Sequence, residues 1–416
     1  MAGYRDMHTV LIWAQANSAA SARVAYWPSG KPRAQRLSAV IALSGAEDYA
    51  AKFHLQDLAE GQTYEYRVLL NGKPASAVQT FSTQKRWQYR NGIEPPGFTL
   101  LGGSCAFLND PPRDRDGAPY GAAEHIFSAM AAQKPDMMLW LGDNVYFREN
   151  DQTSPAGMSY RYRKDRSHPA LQPLLRVGHH FAIWDDHDYG PDDSNASFVF
   201  KTHSLALFQR YWPNASYGMP GLPGTFGSFS FNDVDFFLLD GRYYRDHDQL
   251  ENHPGKGLYG AAQLRWLKNA LLASRATFKI IAGGSVFLKE ASRYESWGNF
   301  AAEKSEFLDW LEKSRVPGVL LMSGDVHHTV LRKLDRRGTY PLYELTCSPL
   351  TAGPFNPGAD ARDALMQADT VVGERNFCSL RFEGTRKQRT LTLQALDAGG
   401  KALWTRTLDA QALRHP

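Results

Sequence analysis

Short runs of residues that favour strands fill the first part of the chain, from Thr9 to about Thr83, and apolar residues alternate with polar ones in Thr63 to Leu69. The runs TVLIWAQ, ARVAYW, SAVIAL, TYEYRVLLNG and AVQTFST are separated by turn residues. Alternation with a period of two is typical of half-buried strands. Asn71-Gly72 is suited to a tight turn between two of them. The pattern therefore predicts a small β-sandwich.

From Phe98 the pattern changes to near-continuous apolar runs separated by loops and amphipathic stretches. The runs that predict strands are FTLLGGS, DMMLWLGD, HHFAIWDD, VDFFLLD, FKIIAGGS and GVLLMSGD. Such strands, alternating with amphipathic helices, are typical of an α/β domain whose sheets are covered by helices. Beyond Tyr340 the sequence again predicts mostly strands, and it ends in a predicted hairpin that turns at Gly399-Gly400. Helical periodicity falls at 122–133, 203–211, 261–273 and 301–313.

The two patterns predict two domains, residues 1–90 and residues 91–416. The boundary falls in the polar stretch from Gln84 to Gly97, which contains proline and glycine. The first segment is similar to a fibronectin type III-like module, since GQTYEYRV resembles the late tyrosine-bearing strand of that fold.

Composition excludes several classes of protein. The chain has 416 residues, 43% apolar and 22% charged, which is typical of a globular protein. Apolar runs such as Val10 to Ala14 fall far short of the ~20 residues that a membrane-spanning helix needs. Arg5, Asp6 and His8 interrupt the start of the chain, so no signal peptide is evident there.

The net charge limits the binding partners that we expect, and the number of cysteines limits how they can pair. The net charge is +4 and the basic residues are scattered, so we expect no nucleic-acid-binding surface. Three cysteines are an odd number, so at least one is free or bound to something other than cysteine.

Four predicted strands end in residues that can bind a metal ion. Carboxyl ends of strands in open α/β sheets are where ligands gather. Oxygen and nitrogen donors with one thiolate could hold two cations that share a carboxylate. These residues are Cys105 after FTLLGGS, Asp143 and Tyr146 with DMMLWLGD, Asp185 to Asp188 after HHFAIW, and Asp325 and His327 with GVLLMSGD.

Each of these residues also has an ordinary structural explanation. Asp143 could cap a turn, His327 could be a core histidine, and Cys105 could be a small buried hydrophobe. The run DDHD could be a solvated loop, although three carboxylates around an imidazole repel one another unless a cation or donors offset them. The joint occurrence of all of them at strand ends favours a metal site.

The ordered set GSC, GDNVY, WDDHDYGPDD, LDGRYYRD and SGDVHH resembles the alkaline phosphatase D (PhoD-like) family of metallophosphoesterases. The resemblance covers nearly the whole chain. It implies a two-sheet core flanked by helices, preceded by a fibronectin-like β-sandwich. Some family members have asparagine where this chain has Asp192-Asp193, which leaves substrate contacts in that loop open.

The resemblance also implies the ligands of two metals. Fe3+ is expected to be bound by Cys105, Asp143, Tyr146 and His327. Asp143 is expected to bridge to a divalent metal, Ca2+ in our prediction, that Asp186 and Asp325 also bind. Thiolate and phenolate suit a trivalent ion, and carboxylates with water suit calcium.

The reaction implied by this site is hydrolysis of a phosphoric ester by a metal-bridging hydroxide. His187 is the candidate to protonate the leaving group or to stabilise the charge of the transition state. Arg242 is a candidate phosphate contact, with Arg245 a weaker one; the alternative for both is a salt bridge with Asp240 or Asp246.

Several alternatives stay open. Family members act on phosphomonoesters or phosphodiesters, including a phospholipase D-type activity, and the substrate can be a small molecule, a lipid or a polymer. A non-catalytic envelope binding protein with a structural metal site is the rival outside the enzymes. We expect a monomer that is periplasmic or secreted, with its signal removed, or else cytoplasmic.

If Cys105 binds metal, Cys347 and Cys378 can form a disulfide, or both can remain buried thiols. The family's usual export favours the disulfide, because an oxidising compartment permits it.

Overall fold

The computed structural model describes residues 1–87, 92–357 and 363–416. The described residues contain twenty-one strands and seven α-helices. The strands are β1 (Ala2–Arg5), β2 (Val10–Gln15), β3 (Ala20–Pro28), β4 (Arg36–Leu37), β5 (Ile41–Leu43), β6 (Ala50–Leu55), β7 (Thr63–Leu70), β8 (Lys73–Pro74), β9 (Gln79–Ser82), β10 (Phe98–Gly103), β11 (Met137–Leu141), β12 (His179–Ile183), β13 (Gly227–Phe231), β14 (Val234–Leu238), β15 (Phe278–Ala282), β16 (Val319–Ser323), β17 (Val330–Leu334), β18 (Leu342–Thr346), β19 (Asn376–Glu383), β20 (Thr390–Asp397) and β21 (Ala402–Asp409). The helices are α1 (Ile126–Ala132), α2 (Pro155–Arg166), α3 (Gln172–Leu175), α4 (Asp186–Tyr189), α5 (Lys201–Tyr211), α6 (Ala261–Ala273) and α7 (Ala301–Ser314).

Two large sheets form the centre of the molecule. One has nine strands in the order β21-β20-β19-β10-β11-β12-β1-β2-β6, and the other has six in the order β13-β14-β15-β16-β18-β17. The six apolar runs predicted as strands are β10, β11, β12, β14, β15 and β16. Their apolar side chains meet between the sheets, where the rings of Phe181 and Phe229 stack with centroids 3.8 Å apart. Both faces of these strands are almost entirely buried, which explains why their sequences are mostly apolar.

Helices cover the outer faces of both sheets. The apolar sides of α1, α2 and α5 pack against the nine-stranded sheet, and those of α6 and α7 pack against the six-stranded sheet. The four predicted helical stretches correspond to α1, α5, α6 and α7, although the first helix is shorter than predicted. Among the described residues no helix is long and apolar enough to cross a membrane.

The N-terminal residues are β structure, as predicted, but their strands are divided between two sheets. β3, β4, β5, β7, β8 and β9 make a sheet of their own, whereas β1, β2 and β6 extend the nine-stranded sheet. The connection is a parallel pairing of β1 with β12, in which Ala2 lies opposite His179. A fibronectin type III-like module stays a prediction, and the predicted boundary at residue 90 lies outside the described residues.

One disulfide joins the two central sheets. It connects Cys347, which follows β18 directly, with Cys378 in β19, and their Cα atoms are 6.0 Å apart. Of the two alternatives for these cysteines, the structure therefore has the disulfide. Cys105 is free and buried.

The parallel strands end at one edge of the fold. β10, β11 and β12 run parallel with their ends in register, since Gly103 lies opposite Trp140 and Leu141 opposite Ile183. β15 and β16 are likewise parallel in the second sheet. The loops that follow these strands therefore meet at a shared edge, as expected for the carboxyl ends of parallel strands.

Candidate metal centre

Four of the predicted metal ligands lie in contact at this edge. Asp143 Oδ2 is 3.5 Å from Cys105 Sγ and 3.3 Å from Tyr146 Oη. Tyr146 Oη is in turn 3.4 Å from His327 Nε2. The four side chains come from three strand ends in two different sheets, so only the tertiary fold brings them together.

Backbone conformation at this edge is unusual. Cys105, Asp143, Asp325 and His327 have φ values of 61°, 50°, 70° and 56°, in the left-handed region that non-glycine residues rarely adopt. Each such residue costs on the order of 1 kcal/mol or more, and such residues cluster at functional sites. All four were predicted ligands, which supports a functional reason for the strain.

His327 is held in one tautomer. Its Nδ1 lies 2.6 Å from the carbonyl oxygen of Gly353, which can only accept, so Nδ1 carries the proton. Tyr120 Oη also contacts Nδ1, at 3.2 Å. Burial lowers the pKa of His327, which keeps the ring neutral. Nε2, with its lone pair, therefore faces Tyr146, which is the arrangement usual for a metal-binding histidine.

A second group of donors adjoins the first. Oxygen or nitrogen atoms of Asp143, Asp186 and His187 lie within 4.8 Å of one another. The backbone N–H of His187 donates to Asp143 Oδ1 at 3.3 Å, and that of Asp193 donates to Asp186 Oδ2 at 2.9 Å. Two further groups within the same limit are Asp185, Glu295 and Asp325, and Asp186, Asp193 and Glu295.

The three carboxylates of the DDHD run have different surroundings. Asp185 accepts from Arg242 Nε at 2.6 Å. Asp188 caps α4 and accepts from the backbone N–H of Asn144 at 3.0 Å, so it supports the loop after β11. Asp186 and His187 belong to the candidate metal group. The expected repulsion is therefore relieved by an arginine at one carboxylate and by backbone donors at another.

Two glycines make room for Asp185. A Cβ atom at Gly142 would lie 2.7 Å from the Cβ of Asp185, and one at Gly284 would lie 2.4 Å from its Cγ. Gly142 also has a φ of 94°. Both positions require glycine because a side chain would displace the Asp185 carboxylate from Arg242.

Arg242 is fully buried in an ion-pair network. Its guanidinium meets Glu295 through both terminal nitrogens, one of them 2.7 Å from Glu295 Oε1, and also contacts Asp185 and the carbonyl oxygen of Ser194. Arg245 contacts Glu295 from the other side at 2.8 Å. Burial opposes the charge of Arg242, but the carboxylates of Asp185 and Glu295 raise its pKa well above the usual value. The ion-pair alternative for Arg242 is thus observed, with Glu295 and Asp185 as partners instead of Asp240 or Asp246.

Among the described residues, no lysine or arginine forms a salt bridge with Asp143 or Asp325. Burial, followed by the charge of Asp186 and of Cys105, raises the pKa of Asp143 well above its usual range. Burial and the charges of Asp185 and Glu295 do the same for Asp325. Burial raises the pKa of the Cys105 thiol to about 12, although the hydrogen bond from Ser348 lowers it. Ionised, these groups need positive charge nearby, and their donor types fit cations.

Sequence reasoning missed several residues at this edge. Glu295 lies in a loop 53 residues from Arg242, and nothing in its surroundings marks it as a partner. Tyr120 lies in the loop after β10, well beyond the end of that strand, and its ring packs edge-on against Phe107 with centroids 4.9 Å apart. Position directly after a strand was the signal that found the other residues, whereas Tyr120 and Glu295 lie far from the ends of the strands β10 and β15 that precede them.

Comparison with known proteins identifies the family. The model of the PhoD-like phosphatase family matches residues 117–390. The chain belongs to the PhoD-like phosphatase family. The motifs GSC, GDNVY, WDDHDYGPDD, LDGRYYRD and SGDVHH had predicted this membership, which is now confirmed.

A bacterial relative agrees with that assignment. Alkaline phosphatase D of Bacillus subtilis (strain 168) is 25% identical over 336 residues, which make up 68% of this chain and 55% of the relative. The chain thus spans about half the length of that relative.

Two solved structures show a similar fold. A structure of PhoD has a TM-score of 0.79 at 17% identity, covering 100% of this chain and 90% of that one. A purple acid phosphatase from yellow lupin (Lupinus luteus) seeds has a TM-score of 0.67 at 10% identity, covering 98% of this chain and 73% of that one. The predicted α/β core is therefore confirmed, with a fold similar to those of PhoD and of the purple acid phosphatase.

Proposed function

We propose that this protein hydrolyses phosphoric esters, phosphomonoesters, phosphodiesters or both, with two bound metal ions. The observation that carries the proposal is the contact of Cys105, Asp143, Tyr146 and His327 beside Asp186 and His187. Thiol, phenol, imidazole and carboxyl groups are in contact there, on backbone with positive φ at Cys105, Asp143 and His327. They are the donors that a dinuclear hydrolase needs.

The proposed ligands divide into two sets that share Asp143. Cys105, Asp143, Tyr146 and His327 would hold Fe3+, because thiolate and phenolate are strongly donating anions. Asp143, Asp186 and Asp325 would hold a divalent ion, Ca2+ in our proposal, because carboxylate oxygens are its preferred donors. When bound, the two ions supply Lewis-acid activation of water and of the phosphoryl group.

His187 is the proposed proton donor to the leaving group. Its ring stacks on Tyr146 with centroids 4.2 Å apart, and its side chain remains 25% exposed, so a substrate can reach it. Nε2 lies 3.4 Å from Asp192 Oδ1, and this carboxylate can orient the ring. The asparagine of some family members is therefore replaced here by a residue that contacts the proposed acid.

For Arg242 we propose a positioning role. Its donors are engaged by Asp185, Glu295 and Ser194, and its side chain is fully buried, so a phosphate contact would require these bonds to break. Holding Asp185 at the start of α4 fixes the adjacent Asp186, a proposed ligand. This is our revision of the catalytic role that the sequence suggested.

We also propose a periplasmic or secreted location. The buried disulfide between Cys347 and Cys378 favours an oxidising compartment. A monomeric protein with an N-terminal β domain over 1–90 and a catalytic domain over 91–416 remains our working description. The following experiment distinguishes this proposal from two alternatives. One is an envelope binding protein with a structural metal site, and the other is a phospholipase D-type diesterase.

The test combines elemental analysis of the purified protein with assays on a chromogenic phosphomonoester, a chromogenic phosphodiester and a phospholipid. We expect iron and a divalent metal, ester hydrolysis, and loss of hydrolysis after chelation that returns when both metals are restored. The preferred substrate separates monoesterase, diesterase and phospholipase activity. Bound metal without hydrolysis of any of the three would favour the binding protein.

A further inference from the structure

A segment that follows β18 passes directly beside the loop that carries Cys105. The backbone N–H of Leu350 donates to the carbonyl oxygen of Ser104 at 2.8 Å. The N–H groups of Thr351 and Ala352 both donate to the carbonyl oxygen of Cys105, at 3.2 and 3.1 Å. The segment therefore fixes the backbone of Cys105, which has a positive φ.

Ser348, at the start of this segment, contacts two proposed iron ligands with one hydroxyl group. Its Oγ–H donates to Cys105 Sγ at 3.1 Å. The same oxygen accepts from the backbone N–H of His327 at 3.1 Å. The neighbouring hydroxyl of Ser104 donates to the carbonyl oxygen of Cys347 at 3.0 Å, so its proton is already engaged.

The position of Ser348 is itself fixed. Its backbone N–H donates to Thr329 Oγ1 at 3.1 Å, and its carbonyl oxygen accepts from Asn376 Nδ2 at 2.9 Å. Its neighbour Cys347 is tied to β19 by the disulfide. Ser348 is completely buried, so no water competes for its hydroxyl. The hydroxyl thus has a defined place between the two ligand-bearing loops.

We propose that Ser348 is a positioning residue of the metal centre, which links the Cys105 and His327 loops and donates a hydrogen bond to the thiolate that binds iron. The inference rests on the proposed function, because it takes Cys105 and His327 as ligands. A hydrogen bond stabilises charge on the sulfur, and the shared hydroxyl fixes the distance between two strained loops. Outer partners of this kind typically change metal affinity by about 10- to 100-fold.

The test compares Ser348→Thr with Ser348→Val. Threonine and valine have nearly the same shape and differ in the hydroxyl, so both carry the same added bulk beside Pro349. Iron affinity is measured by competition with a chelator series, and the visible absorption of the ferric protein is recorded. Thermal unfolding of the metal-free variants separates metal binding from folding. Ser204→Ala, which removes a buried hydroxyl bound to the carbonyl of Tyr189, is the matched control.

We expect Ser348→Val to bind iron about 10- to 100-fold more weakly than Ser348→Thr. Its thiolate-to-iron absorption should move to longer wavelength, because a sulfur without a donor gives up charge more readily. Equal affinity and equal spectra in the two variants, whether both are normal or both impaired, would overturn the proposal. Cys105→Ala is measured in parallel: unchanged iron binding there would instead refute the ligand set of the proposed function.

Discussion

The two sides of the site balance buried negative charge in different ways. On the ion-pair side, Asp185 and Glu295 are neutralised by Arg242 and Arg245. On the thiolate side, Cys105, Asp143 and Tyr146 contact one another, and the described residues place no arginine or lysine in a salt bridge with Asp143. The protein's own arginines thus balance the charges of Asp185 and Glu295, whereas in our proposal bound metal ions balance those of Cys105, Asp143 and Tyr146.

Asp186 lies where the two sides meet, and its pKa reflects both. Burial raises the pKa, but the positive charges of His187 and Arg242 and a hydrogen bond from the backbone of Asp193 lower it below its usual range. For Asp143, burial and like charges both raise the pKa. A carboxylate that is already ionised can bind a metal without first losing a proton. We therefore expect the second ion to bind Asp186 readily.

The largest effect should come from Asp143→Ala. Because this carboxylate is shared by both proposed metal sets, its loss should abolish hydrolysis and remove most of both metals, as checked by activity assay and elemental analysis. Asp165→Asn is a matched control, since Asp165 is also buried but pairs with Arg161. An Asp143→Ala protein that keeps its metals and its activity would show that Cys105, Asp143 and Tyr146 do not form the metal site.

His187→Ala should lower turnover by about 10²- to 10⁴-fold, the usual contribution of a proton donor. Metal content should stay unchanged, because we propose His187 as an acid and not as a ligand. The measurement is kcat together with elemental analysis on the same sample. A loss of metal in proportion to the loss of activity would show instead that His187 is a metal ligand.

Arg242→Ala should act on the ion-pair side through stability. It leaves the buried carboxylates of Asp185 and Glu295 facing each other, and breaking a buried pair costs roughly 3–5 kcal/mol. Urea unfolding of the metal-free protein measures this loss, and Arg406→Ala, which removes an exposed pair with Asp369, is the control. If both variants unfold alike, the network does not compensate these acids.

Tyr146→Phe should give the smallest structural effect and the clearest spectral one. The ring and its stacking on His187 remain, so the fold and its stability should change little. If the phenolate binds Fe3+, the wild-type protein should be violet to reddish, and the variant should lose that band in its visible spectrum. A colourless wild-type protein that contains ferric iron would contradict this coordination.

The sequence predicted the candidate site residues that directly follow a strand along the chain. β10, β11, β12 and β16 are continuous apolar runs, and the candidate ligands follow them directly, so strand ends located Cys105, Asp143, Asp186 and Asp325. The sequence could not predict contacts between residues that lie far apart along the chain. Pairing of Arg242 with Glu295 and of Ser348 with Cys105 depends on how loops from different strands meet, and residue spacing carries no trace of that.

Sheet membership was the other feature that local pattern could not give. β2 was predicted as a strand from its apolar run, whereas β1 and β6 were not among the predicted strands. Their assignment to the nine-stranded sheet depends on the pairing of β1 with β12, almost half the chain away. Period alone identifies a strand and its buried face, but not its neighbour.

Strand order in the nine-stranded sheet bears on how the protein is synthesised. Gly102 in β10 pairs with Cys378 in β19, so on a ribosome that adds 5–20 residues per second this edge stays open for about 15 to 55 s. Ser348 and His327, which contact the Cys105 loop or its neighbours, are also translated late. If Cys105 binds iron, as we propose, the ion can be captured there only after most of the chain has been synthesised, and a chaperone that shields β10 would have its greatest value during that interval.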